Sequence, residues 1–167
     1  MSIEELNNLS TDKIREEFFK CCGSTSWAKQ LADKKPFNSK TELLHASDHV
    51  WSNCTSQDGL EAFTHHPKIG DLKNLEKKFA STKEWAGGEQ SGVNTATHDT
   101  LVALAEGNDA YEKKFEYIFI VCATGKTAEE MLALLKARIT NDAATELSIA
   151  MNEQNKITHI RLHKLLS

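Results

Sequence analysis

Apolar residues recur at i, i+3 and i+4 along almost the whole of this chain, which is the spacing of one buried helix face. Only two prolines, Pro36 and Pro67, interrupt the pattern. Proline removes a backbone donor and breaks helices, so long helices are open to most of the sequence. No stretch alternates apolar and polar residues long enough to pair as a strand. Ser2 with Glu5, Ser39 with Glu42, and Thr127 with Glu130 have the spacing of capping boxes. In such a box a hydroxyl accepts from the N3 amide and the glutamate reaches back to the cap amide. The pattern predicts an all-α bundle of about eight to ten helices. They fall near residues 3–8, 11–22, 24–32, 39–54, 57–64, 71–80, 89–106, 108–123, 128–140 and 142–165. Gly23, Gly107 and Gly125 read as C′ stops. The apolar run from Ile118 to Ala123 reads as a buried helix end, with a buried strand as the alternative.

The 167 residues fit a single domain, 1–167, with no linker or internal repeat. Net charge is −4 and the 20 basic residues form no block, which argues against a nucleic-acid partner. The longest apolar run is too short to span a bilayer. Met1 to Glu5 has neither a basic n-region nor an apolar h-region, and Leu165-Leu166-Ser167 is not a peroxisomal address. Cys21, Cys22, Cys54 and Cys122 contain no C-x-x-C pair and read as reduced thiols. The expected location is the cytoplasm.

Three places carry possible chemistry. His66 precedes Pro67, whose ring disfavours the α region for its predecessor. His66 should therefore sit just past a helix end, where an imidazole can serve as general acid or base; a plain surface histidine is the alternative. Glu89-Gln90 follows Gly87-Gly88 within the Gly-, Ser- and Thr-rich stretch from Phe79 to Val93, where Trp85 could shield a site. Two glycines let backbone amides approach a ligand, and a carboxylate beside a carboxamide can read a polar heterocycle. The competing reading is an ordinary helix start with an acidic first turn. On the last helix Leu147, Ala150, Met151, Ile157 and Leu165 share a face, and Arg161 falls between Ile157 and Leu165. Gln154 is the only other polar residue in that series. A guanidinium on an apolar stripe needs a structural carboxylate or an anionic ligand.

These pieces, in this order, resemble the 2-oxo-4-hydroxy-4-carboxy-5-ureidoimidazoline (OHCU) decarboxylases. The resemblance runs through Phe63-Thr64-His65-His66-Pro67-Lys68-Ile69-Gly70-Asp71 and Glu89-Gln90-Ser91-Gly92-Val93. It continues through Asn108 to Phe115 and Phe119 to Gly125, then Met131, Arg138, Asn141, Glu146, Lys156-Ile157 and Arg161-Leu162. It implies an all-α homodimer without metal or organic cofactor that produces (S)-allantoin in urate breakdown. It implies His66, Glu89 and Arg161 as catalytic residues. It implies substrate contacts from Pro67, Ala86, Gly87, Gly88, Gln90, Phe119, Ile120, Val121, Cys122 and Ala123, partly through backbone. Two departures stand out. The family usually has serine where this chain has Ala86, and glycine where it has Glu116.

Two other classes compete. A metal-dependent hydrolase could use His45 with His49, or His159 with His163, both i, i+4 pairs able to ligate zinc. One tightly held zinc per chain would mark it. A non-enzymatic helical interaction domain would show long exposed apolar stripes.

Overall fold

Hydroxyl caps set most of the helix starts. In the computed structural model, which describes residues 1–68, 72–78 and 91–167, the helices are α1 (Ile3–Asn8), α2 (Thr11–Cys21), α3 (Thr25–Ala32), α4 (Lys40–Ser52), α5 (Ser56–Thr64), α6 (Leu72–Lys78), α7 (Ser91–Phe115), α8 (Ala128–Arg138) and α9 (Ala143–Leu165). No strand occurs among the described residues. Ser2, Ser10, Ser24, Ser39, Thr55 and Thr127 each accept an amide of their helix's first turn, a contact worth about 1 kcal/mol. Of the three expected capping boxes, Ser2 with Glu5 closes in both directions. Ser39 does only its half, because Glu42 accepts instead from the backbone and side chain of Asn38. Thr127 likewise accepts from Glu130. Thr55 with Asp58 forms a full box that the S/T-x-x-E/Q pattern does not include.

The described chain separates into two compact units. The first comprises residues 1–66 and 149–167. Its core holds Leu6, Ile14, Phe18, Trp27, Leu31, Phe37, Leu43, Val50, Trp51 and Leu162. Both indoles that enter it are satisfied: Trp27 donates to the Ser47 carbonyl at 3.4 Å and Trp51 to the Met151 carbonyl at 3.0 Å. Asn7 clasps the backbone of Phe37 through both amide atoms, at 2.8 and 2.9 Å.

The second unit comprises residues 67–148. Its core joins Leu75 of α6, Leu101, Leu104, Tyr111 and Phe115 of α7, and Met131 and Leu135 of α8. Helix α7 runs unbroken through Gly107, contrary to the expected stop there. A Cβ on Gly107 would lie 2.9 Å from a Leu135 methyl, so this glycine serves close helix packing. The helix ends instead at Phe115, where Glu116 takes a left-handed conformation (φ 67°) and donates to the Glu112 carbonyl at 2.8 Å. Gly125 does have positive φ (74°), in a turn beyond the expected helix end.

Residues 118–123 are neither helix nor strand. Phe119, Ile120, Val121 and Cys122 are buried. Arg138 holds this segment from the end of α8. Its Nη1 donates to the Ile120 carbonyl at 2.7 Å, and its guanidinium lies 4.5 Å from the Phe119 ring centroid. Glu146, with no exposed surface, accepts from Arg138 Nε at 2.7 Å, from Tyr111 at 2.5 Å and from Asn141 at 3.1 Å. The Tyr111 hydroxyl is pushed well above its ordinary range, by burial first and by Glu146 second.

Removing one partner from a buried ion pair strands the other charge. Arg138→Met should cost about 3–5 kcal/mol in chemical denaturation. Glu116→Gly should instead stabilise by about 1 kcal/mol, by relieving the left-handed strain. A Glu116→Gly midpoint below the wild type would contradict that account.

Candidate functional site

Helix α5 is fixed before it delivers any chemistry. The backbone N–H and hydroxyl of Thr25 donate to the Glu61 carboxylate at 2.8 and 2.7 Å, tying α5 to the start of α3. Gly59 lets the Met151 side chain of α9 come close, since a Cβ there would sit 3.2 Å from its atoms. The helix then ends at His65, whose N–H reaches the Ala62 carbonyl, while the His66 N–H reaches that of Phe63. Pro67 follows and prevents another turn.

The two adjacent histidines have different surroundings. The His65 ring lies edge-on to Phe19, with centroids 4.9 Å apart. It sits where a Gly23 side chain would be, 2.6 Å from the position of a Cβ. His66 is half-buried, and its Nε2 lies 2.5 Å from Gln154 Oε1. Gln154 is fully buried on α9. Its amide nitrogen donates to Thr158 Oγ1 at 3.1 Å, and the Thr158 hydroxyl donates to the Gln154 carbonyl at 3.0 Å. Burial pushes the His66 pKa below the ordinary histidine value of 6.5; the Gln154 contact opposes the shift, while the charges of Arg161 and His65 assist it. His66 is therefore mainly uncharged at neutral pH.

Arg161 sits one helix turn beyond Ile157, half-buried. Its Nη1 donates to the Cys21 carbonyl at 3.4 Å, at the C-terminus of α2. Among the described residues no carboxylate lies within ion-pair distance of it. Of the two partners expected for this guanidinium, a structural carboxylate is thus not supplied by the described residues. Burial raises the neighbouring thiols, Cys21 to about 11 and Cys22 to about 12, which disfavours the thiolate form of both.

The deepest stripe of α9 differs from the expected one. Glu146, Ala150, Gln154, Thr158 and Leu162 are at most 2% exposed, whereas Leu147, Met151, Ile157, Arg161 and Leu165 flank them half-buried. Arg161 therefore stands at the border of the buried face. Gln154 was visible as a polar residue on the stripe; Thr158, its partner, carried no signal in the apolar pattern.

His66 and Arg161 thus lie in the same unit, and the Arg161 charge acts on His66. Pro67 and the segment from Phe119 to Ala123 belong to the second unit. That segment was expected to be helical and is irregular instead. The side chains of Phe119 to Cys122 are buried, those of Phe119 and Val121 in the core of the second unit, and the Ile120 and Cys122 carbonyls accept from Arg138 and Lys126. Trp85, Ala86, Gly87, Gly88, Glu89 and Gln90 lie outside the described residues. The histidine pairs expected to compete as metal ligands are arranged otherwise. His159 meets Asp48 of α4 at 2.6 Å, beside Asn155 at 2.9 Å, and His45, His49 and His163 are exposed. Among the described residues no three His, Cys, Asp or Glu side chains converge on one point. Met1 is the one large apolar side chain among them that is exposed, so the stripes required of a docking module are not found there. No described helix is long and apolar enough to cross a membrane.

Comparison with known proteins narrows the chemistry. A family model described as OHCU decarboxylase matches residues 7–163. The chain is 39% identical over 153 residues to the uric acid degradation bifunctional protein TTL of Arabidopsis thaliana, covering 91% of this chain and 47% of that protein. It is 25% identical to the 2-oxo-4-hydroxy-4-carboxy-5-ureidoimidazoline decarboxylase of Halalkalicoccus jeotgali, covering 99% of this chain and 92% of the relative. The chain spans about half the length of the Arabidopsis relative and 32% of a Bacillus bifunctional one. A crystal structure of an OHCU decarboxylase in the presence of (S)-allantoin superposes with a TM-score of 0.72 at 37% identity, covering 90% of this chain and 97% of that one.

The electrostatics of the His66 site can be read directly. An NMR titration should place His66 below the ordinary histidine value, and Arg161→Gln should move it upward by removing a repelling cation. Since the folded form disfavours charged His66, its contribution to stability is present above the ordinary value and declines as pH falls. A His66 titrating at or above the ordinary value would contradict the burial described.

Proposed function

The chain belongs to the OHCU decarboxylase family, and on that premise we propose that it decarboxylates 2-oxo-4-hydroxy-4-carboxy-5-ureidoimidazoline to (S)-allantoin in urate breakdown. The observation that carries this reading is that one compact unit holds both a half-buried His66, bonded to buried Gln154, and an Arg161 that no described carboxylate neutralises. The substrate carries its carboxylate on a carbon that also bears a hydroxyl, and the next ring carbon is an imine. The C–C bonding pair released with carbon dioxide can move into that imine, so the substrate holds its own electron sink. What remains for the protein is to orient the ring, stabilise the shifting charge and choose the face of protonation.

In this reading Arg161 binds a carbonyl or the ureido end. Glu89 with Gln90 hydrogen-bonds polar ring or hydroxyl groups, and His66 manages the proton near the reacting carbon. The family resemblance also implies substrate contacts from Ala86, Gly87, Gly88, Pro67 and the stretch Phe119 to Ala123, partly through backbone. A homodimer and a cytoplasmic location belong to the same proposal.

The test is to generate the unstable substrate in place from urate with the upstream enzymes and to follow (S)-allantoin by circular dichroism. The protein should accelerate its appearance, and His66→Ala should lower that rate by about 10²–10⁴-fold. No acceleration over spontaneous decay would sink the activity. A His66→Ala variant giving the same enantiomer at the wild-type rate would remove the role given to His66.

A further inference from the structure

Resting on the decarboxylase reading, we infer that Gln154 is a positioning residue that holds His66 as its Nε2–H tautomer, so that Nδ1 first takes the substrate's hydroxyl proton and then delivers it to the ring carbon. The direction of the hydrogen bonds on α9 carries this. The single hydroxyl proton of Thr158 goes to the Gln154 carbonyl, an ordinary bond back to the preceding turn. Thr158 Oγ1 must then accept from the Gln154 amide nitrogen. That turns Gln154 Oε1, which has only lone pairs, toward His66 Nε2. The proton between them can come only from the imidazole. With the opposite tautomer two acceptors would face each other in a site where Gln154 has no exposed surface, an arrangement that leaves both unsatisfied.

A neutral imidazole has one N–H. If Gln154 occupies it, Nδ1 is a bare lone pair, and His66 cannot begin by donating to carbon. The order of events follows. The bond to the carboxylate breaks and carbon dioxide leaves. The bonding pair forms a ring C=C, and the imine pair moves to nitrogen, which takes a proton from solvent. The resulting enol passes its O–H proton to Nδ1 as its oxygen becomes a carbonyl. The C=C pair then takes that proton back at the neighbouring carbon. One solvent proton is consumed for each carbon dioxide released, and His66 ends as it began. Deprotonating a hydroxyl and protonating a carbon thus become successive acts of one atom.

Nitrogen-15 NMR of the histidine-labelled full chain reads the tautomer without substrate. The wild type should show His66 protonated on Nε2. Gln154→Leu should mix the tautomers and lower kcat by about 10–100-fold with little change in KM. Gln154→Glu should keep the tautomer and recover part of the rate. It should also move the acid limb of the kcat profile to higher pH, because an anion beside the ring favours its cation. A merely structural glutamine would leave the tautomer unmixed in Gln154→Leu. Should either variant fail to fold, Thr158→Val, which frees the Gln154 amide, should shift the tautomer in the same direction. A wild-type His66 protonated on Nδ1, or an acid limb unmoved in Gln154→Glu, would overturn the inference. An Nε2–H His66 in a protein without decarboxylase activity would overturn the reaction alone and leave the positioning by Gln154 standing.

Discussion

A carboxylate with no access to water, Glu146, dictates the arrangement of everything packed around it. Taking such a group out of solvent is costly unless each of its oxygens is engaged. Three hydrogen bonds and the adjoining charge meet that demand. Arg138 donates through Nε and brings Nη2 within ion-pair distance, Tyr111 supplies its hydroxyl and Asn141 its amide. Each donor is then committed, and its own surroundings follow. Arg138, held by Glu146, has one nitrogen left, and it takes the Ile120 carbonyl. The aromatic rings of Tyr111, Phe115 and Phe119 enclose the guanidinium plane and the phenol. An irregular segment buried in this way would ordinarily leave backbone groups unsatisfied. Here a side chain takes the place of secondary structure for at least one of them.

The same interaction explains where the sequence pattern failed. Residues 118–123 are apolar and follow a well-formed helix, so periodicity alone extends the helix through them. Nothing local announces that Arg138, far along the chain, will claim the Ile120 carbonyl. Gly107 misleads in the opposite way. It resembles a helix stop, yet its purpose is contact with Leu135, a tertiary fact. The stop that does occur falls on Glu116, a residue whose side chain gives no hint of a left-handed backbone. The family habit of glycine at that position now has a conformational reason. Helix starts were more legible because hydroxyl caps are local. The exceptions, Glu42 turning to Asn38 and Asp58 closing a box at Thr55, are choices among acceptors within one turn.

The candidate site was legible to different depths. The proline after His66 marked the end of a helix, and a helix ends there. Arg161 was conspicuous as a charge among apolar neighbours, although it borders the buried face and does not occupy it. The true buried line of α9 is polar at Glu146, Gln154 and Thr158. Hydrophobic periodicity is blind to a core face built from hydrogen-bonded side chains. The roles of Glu89 and Gln90 came from family pattern, since two glycines and an acidic dipeptide have a bland explanation as a helix start.

Gly23 gives this arrangement an unexpected point of fragility. It belongs to no helix, yet the space it leaves empty is where His65 lies, and His65 carries the backbone that presents its neighbour. One added methyl group there would collide first with the His65 imidazole and only through it disturb the one proposed to move the proton. The core around it, fastened by the two tryptophans and the Asn7 clasp, would have little cause to come apart. Such a lesion would yield a folded, abundant and catalytically poor protein, with nothing in the altered residue's own chemistry to say why.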